Sequence, residues 1–178
     1  MQQRVFDYET ILRVLQRHDV KFIVIGGVCA LIYGVCVTTF DLDIVPLRHA
    51  DNLKRLESAL TELNAYYREH PRGRFLPNAE RLDTKGHHLL MTDLGALDVL
   101  GTVTGGRGYE ELLAETIEID LAENTHATIV TLEMLIQLKR ETNRSKDRQV
   151  LPILLRALEE QQSAPSKAKD KENADSEN

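Results

Sequence analysis

Residues 22–45, FIVIGGVCALIYGVCVTTFDLDIV, constrain the fold most: nineteen positions, 22–40, carry no charge, and two carboxylates follow at once. A run of that length passes a simple hydropathy test for a membrane helix. The paired glycines, the β-branched residues at either end and the immediate Asp-x-Asp instead fit a strand, a turn, a short helix and a second strand. Residues 22–25 read as a buried strand. Gly26-Gly27 break it where the lack of a Cβ permits a tight turn or the close approach of a ligand. Residues 28–33 then suit two helical turns, stopped by Gly34 as a left-handed C-cap, and residues 37–45 return as a strand.

Side chains two apart in a strand share a face, so Asp41 and Asp43 are expected to project side by side. Adjacent carboxylates repel, and the simplest way to hold them together is a shared divalent cation. Hard oxygen ligands select magnesium or manganese. The glycine turn feeds a helix N-terminus, whose free N–H groups favour an anion. Phosphates on one side and a metal on the other describe a nucleoside triphosphate site.

Elsewhere, residues 6–18 predict an amphipathic helix with Asp7 as N-cap, and 49–66 a second helix with the stripe Leu53, Leu56, Leu60 and Leu63. Residues 68–85 read as a basic, solvated loop in which Arg72 and Arg74 are candidates to steer phosphates. Residues 88–92 and 96–100 predict a hairpin around Asp93-Leu94-Gly95. Asp98 then stands among apolar strand residues, where it needs a partner; the Asp41 and Asp43 cluster supplies one. His87 and His88, at the strand end, are expected to be half-exposed.

Residues 102–108 form a glycine turn lacking the Lys-Ser or Lys-Thr of a phosphate loop. A short helix at 109–114 and strands at 117–121 and 127–130 follow. Thr131 caps a helix over 132–141, and 144–161 are helical, with Pro152 either kinking the helix or opening a new one. The segment 139–148 is the best local basic patch.

A chain of 178 residues suits one domain, residues 1–162 with a helical part over about 131–162, followed by a polar tail, 163–178, expected to be disordered. Its net charge of −6 argues against a broad nucleic-acid footprint but not against a local basic groove. Cys29 and Cys36 are expected to be reduced core thiols. The opening MQQRVFDYE lacks the pattern of a signal peptide, which points to the cytoplasm and no membrane partner.

Gly-Gly, thirteen intervening residues and Asp-x-Asp on the next strand resemble the DNA polymerase beta type nucleotidyltransferase superfamily, most closely its minimal and AbiEii-like toxin branch. In that branch a third carboxylate follows on a later strand, matched by Asp98 in GALDVLG. A Lys-Asp helical segment is matched by RSKDRQVLPIL, with Lys146 and Asp147. The resemblance covers roughly residues 20–158. Two positions depart from it. Val37 stands where the branch has Arg in G-x-x-R-x-T-x-D-x-D, although Thr39 matches, and Gly27 stands where many members have Ser.

The resemblance implies an α/β (α+β) fold, a nucleotidyltransferase-type mixed sheet with flanking helices and a C-terminal helical segment. It implies Mg2+ or Mn2+ with an NTP as substrate. Asp41, Asp43 and Asp98 would be the metal-holding catalytic residues, and Gly26, Gly27, Thr39, Lys139 and Lys146 the nucleotide-binding ones. The acceptor hydroxyl is left open among RNA, protein and a small molecule. RNA comes first by family analogy, and the toxin branch implies a cognate antitoxin protein as partner. Val37 supports the alternative of a non-catalytic, partner-binding member.

Overall fold

The computed structural model of the chain describes residues 6–69, 75–121 and 125–163. Arg72, Arg74 and the tail beyond Ser163 therefore lie outside the described residues. Helix α1 (Tyr8–Arg17) starts where the Asp7 carboxylate accepts the Thr10 N–H at 2.9 Å and its hydroxyl at 2.7 Å, and it buries Ile11, Leu12, Val14 and Leu15. There follow β1 (Phe22–Ile25), α2 (Gly26–Ile32), β2 (Asp41–Pro46), α3 (Ala50–Glu62), β3 (Tyr66–Tyr67), α4 (Ala79–Leu82), β4 (His87–Thr92) and β5 (Gly95–Leu100). A 3-10 turn at Thr104–Gly106 leads to α5 (Tyr109–Leu113), β6 (Thr116–Asp120), β7 (His126–Val130), α6 (Leu132–Thr142) and α7 (Ser145–Ser163).

The strands form one mixed sheet in the order β3-β4-β5-β2-β1-β7-β6. The β2–β5 and β1–β7 pairs are parallel and the others antiparallel. Central β1 is buried along its whole length, as its unbroken Phe-Ile-Val-Ile run dictates. Helix α1 packs on α3, and α2 on α6. Among the described residues no helix is long and apolar enough to cross a membrane; the uncharged run is divided among β1, α2 and the segment before β2.

The expected elements need several corrections. The returning strand begins at Asp41, not at residue 37. Strand β1 ends its register at Ile25 opposite Asp43, and β5 begins beside Asp41 with Ala96. Residues 35–40 thus run past both neighbours and find no ladder to join. The helix predicted over 49–66 stops at Glu62, because Asn64 takes φ 54° and the chain turns into edge strand β3 beside β4. The loop at 68–85 contains α4, whose first turn is closed by the Asn78 side chain accepting the Arg81 N–H. Helix α7 runs through Pro152 without interruption.

Two side chains also differ from expectation. Cys36 is exposed while Cys29 is buried. His88 is 7% exposed rather than half-exposed. Strand β3 brings the Tyr67 hydroxyl to its Nδ1 at 2.8 Å, and Thr84 Oγ1 lies 3.1 Å from Nε2. Burial, then the neighbouring His87, lowers its pKa and keeps the ring neutral.

One buried polar residue ties the sheet to α3. Asn52 is fully buried; its Oδ1 accepts the Lys21 N–H at 2.7 Å, and its Nδ2 donates to Lys21 O at 2.9 Å and Leu47 O at 2.8 Å. It therefore fastens the entry of β1 and the exit of β2 to one helix. Asn52→Ala leaves the Lys21 N–H with no partner, and urea unfolding is expected to show a loss of about 2–3 kcal/mol.

Candidate active site

The parallel β2–β5 pairing brings the carboxylates together. Asp43 and Asp98 are register partners, and Asp41 lies two residues back on the same face of β2. One oxygen from each of Asp41, Asp43 and Asp98 falls within 4.8 Å of the others. The structure thus places Asp98 beside Asp41 and Asp43.

The glycine turn makes the crowding possible. Gly26 has φ +71°, and a Cβ there would sit 2.0 Å from Asp43 Oδ2. A Cβ on Gly27 would sit 2.4 Å from Thr39 Oγ1. The space that a side chain would fill is taken by the Asp43 carboxylate and the Thr39 hydroxyl. Thr39 in turn donates its hydroxyl to the Asp41 backbone carbonyl and to Oδ1, both at 3.1 Å. Thr39, expected to touch nucleotide, thus orients a carboxylate.

Burial raises the Asp43 pKa to about 7, with repulsion from Asp41 and then Asp98 adding to it; Lys139 and Lys146 pull it back. Burial also raises Asp98, against which the Arg68 guanidinium acts. Arg68 Nη2 donates to Asp98 Oδ2 at 2.9 Å and lies 2.9 Å from Oδ1 as an ion pair. Asp98 Oδ1 is nonetheless buried without a hydrogen bond. A buried carboxylate held there by an ion pair, with one oxygen free of hydrogen bonds and two further carboxylates beside it, is a hard-oxygen donor set, and it fits Mg2+ or Mn2+.

The opposite wall is the corner between α6 and α7, turned by Asn143 at φ 48°. Asp147, at 0% exposure, is its anchor. Its Oδ1 accepts Lys139 Nζ at 2.8 Å, and its Oδ2 accepts Thr142 Oγ1 at 2.9 Å and Arg144 Nε at 2.8 Å. Burial alone would raise this carboxylate; the bonds from Arg144, Lys139 and Thr142 outweigh it and hold the pKa well below the usual range. Lys139, expected on phosphate, is therefore committed to Asp147. Lys146 also lines the cleft, its side chain is exposed, and no salt bridge is made by it among the described residues.

Together these walls enclose a cleft of about 820 Å³ with Asp41, Asp43 and Asp98 on one side and α6 and α7 on the other. Gly26 and Gly27 border it, as do Val37 and the 75% exposed ring of Phe40. Sequence reasoning missed Arg68, because strand β3 has only two residues and its pairing with β4 is not visible locally. It also read Asp147 only as part of a motif, not as the buried anchor of the corner.

No protein-family profile matches the chain. No curated protein matches it either. A solved structure from Thermotoga maritima, of a protein described provisionally as a nucleotidyltransferase, is similar with a TM-score of 0.52 and 18% identity, covering 84% of this chain and 90% of that one. At that identity the likeness bears on the fold. The chain shares that structure's fold, a mixed sheet with flanking helices.

The raised pKa of Asp43 has a defined sign in stability. Between the ordinary carboxylate pKa, 3.8, and about 7 the folded chain holds a proton here that the unfolded chain has released. Stability of the metal-free protein therefore falls as pH rises through that window. Urea unfolding in chelator is expected to lose about 2–3 kcal/mol between pH 5 and 7.5 from this residue, and Asp43→Asn to abolish that part of the slope.

Proposed function

We propose that the protein is a metal-dependent nucleotidyltransferase that moves a nucleoside monophosphate from an NTP to an acceptor hydroxyl and releases pyrophosphate. The observation that carries this reading is the meeting of Asp41, Asp43 and Asp98 within 4.8 Å, with a buried Asp98 oxygen that no hydrogen bond satisfies. These three would hold Mg2+ or Mn2+. A divalent ion bound there supplies polarisation of the α-phosphate and neutralises the leaving group. Asp98, whose proton affinity is raised by burial, accepts the acceptor's proton. Thr39 fixes Asp41 for its role. Gly26 and Gly27 present bare backbone to the terminal phosphates, and Lys146 contacts them from α7. Lys139 acts on the nucleotide through Asp147, by holding the α6–α7 corner in place.

RNA is the acceptor favoured by the resemblance, with a cognate antitoxin protein as partner in the toxin branch. One observation favours a second reading, a non-catalytic partner-binding member: Val37, half-buried and packed on the core, gives the cleft an apolar surface where the branch has Arg.

The deciding experiment incubates the protein with each labelled NTP, Mg2+ or Mn2+ and total RNA. Label on RNA supports the toxin-like reading, label on protein or a small molecule redirects the acceptor, and no label under any condition overturns the enzyme. In an active preparation, Asp98→Ala is expected to abolish transfer while keeping a cooperative melt. Lys146→Ala is expected to raise KM for the nucleotide with kcat little changed. Full activity in purified Asp98→Ala removes that residue from the mechanism.

A further inference from the structure

Resting on the metal site proposed above, the geometry points to Arg68 as a resident counter-ion that competes with the divalent cation for Asp98 and, when displaced, takes a phosphate oxygen of the incoming triphosphate. Four observations converge on it. Arg68 Nη2 stands 2.9 Å from both oxygens of Asp98, a residue only 6% exposed. One of those oxygens is held by the ion pair alone and accepts no hydrogen bond, so it keeps lone pairs that a second cation can compete for. The Arg68 side chain also lines the cleft and is 28% exposed. Its backbone, finally, is pinned beside the sheet, since its N–H donates to Leu89 O at 3.1 Å. An anchored Cα with a solvent-reaching guanidinium can change partner without disturbing the strand.

The electrostatics give the exchange a direction. With no metal, three crowded carboxylates need positive charge, and Arg68 is the one cation in direct contact with any of them among the described residues. A divalent ion on Asp98 brings two positive charges up against the guanidinium, and like charges at contact repel strongly. The guanidinium then needs a new anion. The other cations of the cleft offer no substitute for it: Lys139 and Arg144 are bound to Asp147, while Lys146 stands across the cleft on α7. A triphosphate oxygen suits the planar, forked head of Arg68. Metal and nucleotide should therefore bind with positive coupling, each favouring the Arg68 position that the other needs.

The test measures Mn2+ binding by electron paramagnetic resonance of the free ion, on the full chain, with and without a non-hydrolysable NTP analogue. In Arg68→Gln the competing charge is gone. Its Mn2+ affinity without nucleotide should rise about 5- to 150-fold, the usual range for coupling between two sites, and the analogue should tighten Mn2+ binding less than in wild type. Arg68→Lys keeps the charge but not the fork and should fall between the two, which also carries the test if Arg68→Gln does not melt cooperatively. In an Asp98→Asn background the Arg68→Gln gain should vanish. Unchanged or weaker Mn2+ binding in Arg68→Gln overturns the inference and leaves Arg68 as a positioning residue. So does a gain that persists with Asp98→Asn. A wild-type chain that binds no Mn2+ overturns the metal site itself, which separates the two failures.

Discussion

Mutual repulsion among Asp41, Asp43 and Asp98 is the constraint around which the rest of the structure is arranged. Two unit charges about 4 Å apart at an effective dielectric near 20 repel by about 4 kcal/mol, against a whole-domain stability of about 5–15 kcal/mol. A fold does not tolerate such a cluster unless pairing geometry enforces it and nearby charge offsets it. Both are present. The parallel register of β2 and β5 sets Asp43 beside Asp98, and Arg68 rests on Asp98. Burial first, and then the repulsion that remains, raises the pKa of Asp43 to about 7.

The same crowding gives the glycines their meaning. Gly-Gly before a helix is usually explained by an approaching ligand, yet here the displaced volume at Gly26 belongs to Asp43 itself, and that at Gly27 to Thr39. The turn and the segment from Thr39 to Asp43 are thus one packing unit, joined by contacts between residues far apart along the chain. The α6–α7 corner follows a similar logic. Asp147, itself fully buried, gathers Lys139, Thr142 and Arg144 with both its oxygens bonded, and that cluster fixes the start of α7 where Lys146 enters the cleft. A polar network at a helix junction sets an angle that apolar packing alone would leave looser.

The carboxylate triad was legible in the sequence because it rests on local rules: period two along β2, and a hairpin turn that places Asp98 on a strand. What was not legible depends on partners far along the chain. The start of β2 is decided by where β1 ends and β5 begins, so residues 37–40 looked like strand although no ladder partner lies beside them. Strand β3, with two residues, carries no periodicity at all, yet it places Tyr67 against His88 and leads to Arg68. Lys139 sits in a basic segment that suggests phosphate, but its partner is a carboxylate eight residues on, across a turn that brings the two helices together.

On the proposed reading, the charge balance of the cleft also bears on how its substrate arrives. Lys139 and Arg144 are bound to Asp147, and Arg68 to Asp98, which leaves Lys146 facing Asp41 and Asp43. Val37 adds no charge where an Arg would have added one. A bare triphosphate entering this cleft meets carboxylates with little uncommitted positive charge to receive it, whereas a triphosphate already carrying a divalent ion brings the charge that the acidic strand lacks. The residue missing at position 37 therefore shifts work from the protein's own cations to the metal. Occupancy of the acidic cluster then becomes the condition for nucleotide binding, and not only for the chemistry that follows.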